Sequence, residues 1–261
     1  MGYNTKIDWC DSSWNPVTGC YHKCEYCYAR GIANRFAGFL PEENPSTWGF
    51  RAGGTLVELD GMQARKRKDG RIVPAPYPYG FTPTLHRYRL DEPKKWTQPR
   101  TIFVCSMADL FGKWVPDEWI AEVFEACKAA PQHRYLFLTK NPSRYEMVLN
   151  RPMPDNMWFG WSQEGPIGNK AVFRTDADVL VNTFVSIEPL LRPFEEFRIK
   201  NVGWAIVGAE TGNRRNKVIP EKKWVMDIAE ACVQAGVPLF MKESLREIMG
   251  DDFRQEFPWE V

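Results

Sequence analysis

Three cysteines fall within eight residues, Cys20, Cys24 and Cys27, in the stretch GCYHKCEYCY at 19–28, with the spacing C-x3-C-x2-C. Thiolates are soft ligands suited to iron–sulfur clusters, zinc or copper(I). Three of them on a short loop can hold three irons of a [4Fe–4S] cubane and leave the fourth iron open. A small molecule carrying both an amine and a carboxylate can chelate that iron, and S-adenosylmethionine is such a molecule. A zinc site is the alternative, with His22 or Cys10 as fourth ligand. Zinc knuckles, however, usually pair C-x2-C units, and no second pair is present. A third reading leaves the three as ordinary cysteines. Cys105, Cys127 and Cys232 lie in apolar patterns and read as core.

The segments that must position this loop alternate in type. Short β-branched or aromatic runs occur at 101–106 (TIFVCS), 134–139 (RYLFLT), 157–162 (MWFGWS), 183–187 (TFVSI), 204–208 (WAIVG) and 237–241 (VPLFM), with one more near 13–19 before the cysteines. Helical periodicity separates several of them. In 117–129, Ile120, Val123, Phe124 and Cys127 recur at i, i+3, i+4, i+7 behind Pro116, and 221–235 repeats the theme behind Pro220. Strand–helix–strand spacing implies βαβ units and a parallel sheet. The fold class expected is α/β, a partial (β/α)6-type TIM-like barrel, with a doubly wound open sheet as the competing architecture. Each strand run ends in polar residues: Ser106 and Asp109, Lys140, Ser162 with Gln163 and Glu164, Glu188, Glu210, and Lys242 with Glu243. In a barrel these ends share the face where active sites form.

Residues 40–100 break the alternation. They are rich in Gly, Pro and basic residues, and 61–100 holds ten Lys/Arg against three Asp/Glu. They read as a loop-rich insertion or lid after the first βα unit of a single domain spanning 1–261. Within them Arg65, Lys66, Arg67, Lys68, Arg71, His86, Arg87 and Arg89 are interleaved with Tyr77, Tyr79, Phe81 and Tyr88. Arg214, Arg215 and Lys217 follow a later strand end. Positive charge attracts phosphate and aromatic faces stack bases, so DNA or RNA is a candidate partner. A solvated basic loop is the plainer reading.

Composition sets few limits. The 261 residues are 44% apolar and 26% charged, with a net charge of +1, so there is no global signal for a polyanion or a membrane surface. No N-terminal apolar stretch or run of 18 apolar residues is present, and the expected location is the cytoplasm, without a membrane partner. Reduced thiols there favour metal or catalysis over disulfides. The eleven Trp leave room for some rings to line a pocket. Nothing points to an oligomeric state.

With Tyr26 in the aromatic position, C-x3-C-x-aromatic-C resembles the signature of the radical SAM superfamily. The stretches WNPVTGC (14–20), SMADLF (106–111), LTKNP (138–142), SIEPLL (186–191) and GAETG (208–212) resemble a phage-associated family of radical SAM-like proteins over nearly the whole chain. CEYCY at 24–28 is also similar to the cluster loop of spore photoproduct lyase, a radical SAM DNA-repair enzyme. The resemblance implies an enzyme. Its Cys20, Cys24 and Cys27 would carry a [4Fe–4S] cluster that cleaves S-adenosylmethionine, and the resulting radical would abstract hydrogen from a substrate. It implies a flavodoxin- or ferredoxin-like reductant. It places Tyr26 near the adenine and Ser106 to Asp109 near the methionine amine, although the Gly-Gly-Glu often found there is missing. Ser162 and Gln163 would meet the ribose or carboxylate, and Lys140 the cofactor carboxylate. Glu188 and Glu210 would face cofactor or substrate. Each of these charged positions reads as readily as a cap or an ion pair. The substrate expected is a nucleic-acid base, modified or repaired. A small-molecule or peptide substrate and a non-catalytic zinc-binding nucleic-acid module are the alternatives.

Overall fold

The computed structural model describes residues 5–38, 47–51, 54–146, 153–163, 182–194, 199, 202–212 and 214–260. The chain divides into two compact units, Met1–Thr5 with Cys10–Phe137, and Lys6–Trp9 with Leu138–Val261.

In the first unit the strand expected over 13–19 is two strands, β1 (Ser12–Trp14) and β2 (Val17–Thr18). The break falls at Asn15-Pro16, where proline has no N–H to give a ladder. A short helix, α1 (Tyr28–Arg35), follows the cysteines. The region 40–100 is more structured than its composition suggests, which corrects the loop-rich expectation, although 40–46 and 52–53 lie outside the described residues. It holds β3 (Thr47–Arg51), β4 (Gly54–Leu59), a hairpin of β5 (Ala64–Lys66) and β6 (Ile72–Pro74), and β7 (Thr84–His86). β2 pairs antiparallel with β7, giving a four-stranded sheet of order β2-β7-β4-β3. The short strands escaped periodicity because a run of two or three residues carries no readable alternation.

Strand β8 (Thr101–Val104) lies parallel to β1, and β9 (Arg134–Thr139) parallel to β8. Between them runs α2 (Asp117–Lys128), with Ile120, Val123, Phe124 and Cys127 buried as their spacing required. Asp117 and Glu118 in its first turn and Lys128 in its last complement the helix dipole. Phe124 and Phe137 close edge-to-face at 5.2 Å over this core.

β9 passes from the first unit into the second at Phe137/Leu138. The second unit adds the parallel strands β10 (Met157–Ser162), β11 (Asn182–Ile187), β12 (Trp204–Val207) and β13 (Leu239–Met241). Helix α3 (Lys222–Ala235) precedes β13 and stops at Gly236, whose φ of +65° is the left-handed closing turn that glycine adopts without strain. A last short helix, α4 (Arg246–Met249), follows. The hydrogen-bonded order β1-β8-β9-β10-β11-β12-β13 follows the chain without reversal. A doubly wound sheet reverses its order at a switch point, whereas a barrel winds one way, so the order takes the side of the barrel class. No helix among the described residues is long and apolar enough to cross a membrane.

Trp9, Trp158, Trp161 and Trp204 of the second unit are core. Trp204 is fully buried and donates its indole N–H to Glu256 O at 2.9 Å. It meets Trp9, Phe240, Phe257 and Trp259 with ring centroids 5.2–6.3 Å apart. Trp204→Ala is expected to lower unfolding free energy by about 3–5 kcal/mol, the usual range for emptying a buried aromatic site. Denaturant melts read by fluorescence check this.

Candidate functional site

The cysteine loop leaves β2 through Gly19, at φ +87°. A Cβ there would lie 2.3 Å from Thr82 O, so only glycine lets the loop pass the backbone of 81–82. Two hydrogen bonds strap it down. Gly19 N–H donates to Met107 O at 2.9 Å and Cys20 N–H to Phe81 O at 3.2 Å. The chain then turns tightly, with Lys23 at φ +58° and Cys27 N–H donating to Cys24 O at 3.3 Å. Cys27 caps α1, its sulfur accepting from Arg30 N–H at 3.4 Å. The Cys20 sulfur accepts from His22 N–H at 3.5 Å.

All three thiols are free and half-buried. Burial pushes Cys20 up to about 12, and the nearby charges of Asp109, Cys24 and Cys27 push the same way. Nearby positive charge would be needed to ionise the Cys20 thiol in this setting. Among the described residues no three His, Cys, Asp or Glu side chains converge as the ligands of one metal ion.

Behind the loop, β1 and β8 end on Asn15. Its side-chain oxygen accepts from Met107 N–H at 2.9 Å and Ser106 Oγ at 3.2 Å, while its backbone oxygen accepts from Arg89 Nη1 at 3.0 Å. Arg89 also donates to Pro76 O at 2.8 Å and Tyr88 Oη at 3.1 Å. Tyr88 Oη lies 3.1 Å from His86 Nδ1, and His86 Nε2 lies 2.9 Å from Thr18 Oγ1. Burial, helped by Arg89, holds His86 well below the usual imidazole range, so it is neutral. The chain Arg89–Tyr88–His86–Thr18 is thus hydrogen-bonded throughout, with one ring nitrogen of neutral His86 donating and the other accepting. Cys105, before Ser106, sits at φ +61°, strained for a residue with a Cβ.

The residues expected from sequence divide into those joined to this loop and those in the second unit. Asp109 binds the loop itself, accepting from His22 Nε2 at 2.7 Å and from Phe111 N–H at 3.0 Å. Ser106 is half-buried, and its carbonyl accepts from Tyr28 Oη at 3.0 Å. Tyr26 is half-buried between two of the cysteines. In the second unit Lys140, Ser162 and Gln163 are half-buried at strand ends, and Glu164 lies outside the described residues. Glu188 pairs with Lys242. The Lys242 stem fills the space over Gly208, where a Cβ would come 2.8 Å from it. Glu210 is held below the usual carboxylate range, first by hydrogen bonds from Arg214, at 2.5 and 2.7 Å, and also by Val218 N–H.

The basic positions also divide. Arg89 is 2% exposed and is structural, which corrects its reading as a phosphate contact. Arg87 is committed to Glu58, Asp60 and Glu122, and Arg214 to Glu210. Lys66, Arg67 and Lys68 are exposed on the β5–β6 turn, and Arg215 is exposed as well. Arg65 is half-buried, its guanidinium 5.5 Å from the Phe36 ring. Sequence reading missed Asn15 and the buried roles of Arg89 and His86, the latter corrected from a member of the basic patch to a neutral interior ring. Asn-Pro after a strand run was the available signal for a side-chain-bonded turn at Asn15. Nothing local marks His86 or Arg89.

No curated protein matches the sequence. Among solved structures, a cysteine-to-serine mutant of spore photoproduct lyase is similar at a TM-score of 0.53 and 11% identity, over 92% of this chain and 80% of that one. Spore photoproduct lyase complexed with dinucleoside spore photoproduct is similar at 0.56 and 10% identity, over 93% and 79%. At such identity the likeness establishes a shared fold. The profile of the family described as "Protein of unknown function (DUF5131)" matches residues 4–248, and the chain therefore belongs to that family.

Proposed function

We propose that this chain is a radical SAM enzyme that holds a [4Fe–4S] cluster on Cys20, Cys24 and Cys27 and acts on a nucleic-acid base. The observation that carries the reading is the thiol triplet, fixed on a strapped loop between β2 and α1 in a fold shared with spore photoproduct lyase. The donor set fits the group. Each thiolate of a cubane takes a different iron, so the ligands need not converge on one point as they must for a single ion. A cluster also supplies the positive charge that buried Cys20 lacks. The Trp114 indole N–H adds to the fit: it is buried without an acceptor, its ring packed on Tyr21 and His22 at 5.4 and 4.9 Å. Such a donor suits a cluster sulfur.

Once bound, the cluster and S-adenosylmethionine supply one-electron cleavage and hydrogen abstraction. The chain's own residues position and shield. Gly19 and the bonds to Met107 and Phe81 set where the ligands stand. Asp109 holds His22 and with it the first half of the loop. Ser106 and Tyr26 are the first-unit residues read as cofactor contacts, and Lys140, Ser162, Gln163, Glu188 and Glu210 the second-unit ones. Glu188 and Glu210 already have cationic partners, so a ligand must share or displace Lys242 and Arg214. The substrate class rests on the neighbour solved with a dinucleoside photoproduct and on the exposed Arg215.

Anaerobic reconstitution should give a brown protein with iron and sulfide near four each per chain, releasing 5′-deoxyadenosine from S-adenosylmethionine under dithionite. One zinc per colourless chain would overturn the cluster. Gly19→Ala should lower bound iron at least twofold and cost about 1–3 kcal/mol of stability, since the loop must leave its φ or displace residues 81–82; full iron content would show that the strap does not set the ligands. Single-stranded DNA or RNA should bind at low salt and release as salt rises, with a shallower log–log slope after Arg215→Glu. No binding at low salt would leave the enzyme reading intact and remove the nucleic-acid substrate.

A further inference from the structure

Helix α1 is turned the opposite way from a solvent-facing helix. It buries Ala29 and Ala33 against Tyr77 and Met107. Its large apolar side chains lie outside: Tyr28 is 53% exposed, Ile32 39%, and Phe36, just past the helix, 37%. Spaced at i, i+4 and i+8, these make one stripe. An exposed apolar stripe on a small helix marks an interaction surface.

Its charge says what kind. No acidic residue lies within α1. Arg35 and Arg65 hold their guanidinium groups 5.7 and 5.5 Å from the Phe36 ring, and Arg30 lies 5.9 Å from Phe81. From Arg65 the hairpin runs into exposed Lys66, Arg67, Lys68 and Arg71, opposed there by Asp69 alone. An apolar centre rimmed by cations calls for an acidic partner. The same observations favour a protein over a nucleic acid. Bases need open aromatic faces, yet guanidinium groups lie over Phe36 and Phe81, and Ile32, midway along the stripe from Tyr28 to Phe36, is aliphatic.

The stripe starts at Tyr28, the residue after Cys27. We infer that the exposed face of α1, with the β5–β6 turn, is the docking surface for an acidic one-electron donor protein, which delivers its electron beside Cys27. This rests on the cluster reading above. In the step, one electron leaves the donor's reduced flavin and enters the cluster, whose charge falls by one. Small, charge-steered contacts are characteristic of such transient redox encounters.

The test uses the reconstituted full chain and reduced flavodoxin as the probe, following cluster bleaching by stopped flow and the reduced cluster by EPR. Dithionite reduction serves as control. Ile32→Glu and Arg35→Glu should each slow reduction by flavodoxin at least tenfold and leave the dithionite rate unchanged. The wild-type flavodoxin rate should fall as NaCl rises from about 50 to 300 mM, over which charge screening strengthens; this arm decides if a variant loses iron. Equal flavodoxin rates in wild type and variants would overturn the inference, as would no reduction of the wild type by flavodoxin at low salt. A single-stranded oligonucleotide that binds wild type but neither variant, and blocks reduction, would assign the face to nucleic acid instead. If no cluster assembles, the cluster reading itself has failed. If dithionite reduces the cluster but the surface variants behave as wild type, only the docking inference has.

Discussion

The rest of the site depends on one close approach, between the backbone of Gly19 and that of residues 81–82. The chain must turn at φ +87° with no room for a Cβ, and it is held there by amide bonds on both sides, to Met107 and to Phe81. Met107 follows β8, and Phe81 lies in the segment before β7. The loop bearing the cysteines is thus tied to the parallel sheet and to the four-stranded sheet at one place. Cysteines held this way stand on a backbone that side-chain rotation cannot move.

That arrangement changes how residues 40–100 should be seen. A lid covers a site; here β7 pairs with β2, and the segment before β7 supplies the acceptor for Cys20 N–H. The region is part of the frame that presents the cysteines. Its cations sort accordingly. Arg89 and Arg87 are used inside the frame, while the β5–β6 turn keeps its charge in water.

What the sequence made legible follows from the range of each signal. The helices α2 and α3 and six of the seven parallel strands, β8 to β13, are local patterns of buried apolar residues, so their runs mark them within a residue or two. The Cys20/Cys24/Cys27 spacing is local as well. By contrast, the bond from His22 to Asp109 joins residues 87 positions apart, and no local pattern announces it. Arg89 looked like a phosphate contact because charge in sequence does not report burial. Its acceptors at Asn15 and Pro76 exist only once the chain has folded.

The buried Arg89 also explains why an arginine stands there. Its acceptors are two backbone carbonyls and one phenol, on three different segments. A lysine ammonium is a compact point charge on a flexible stem, whereas the planar guanidinium fork reaches several acceptors in fixed directions. Removing the fork would leave the buried Asn15 carbonyl without this bond, a cost of about 1–3 kcal/mol for an unsatisfied group, and would also break the half-buried bond to Pro76. Asn15 transmits that loss. Its backbone oxygen takes Arg89, and its side-chain oxygen takes the Met107 N–H, whose carbonyl in turn holds Gly19. A residue that touches none of the cysteines therefore sets the register of all three.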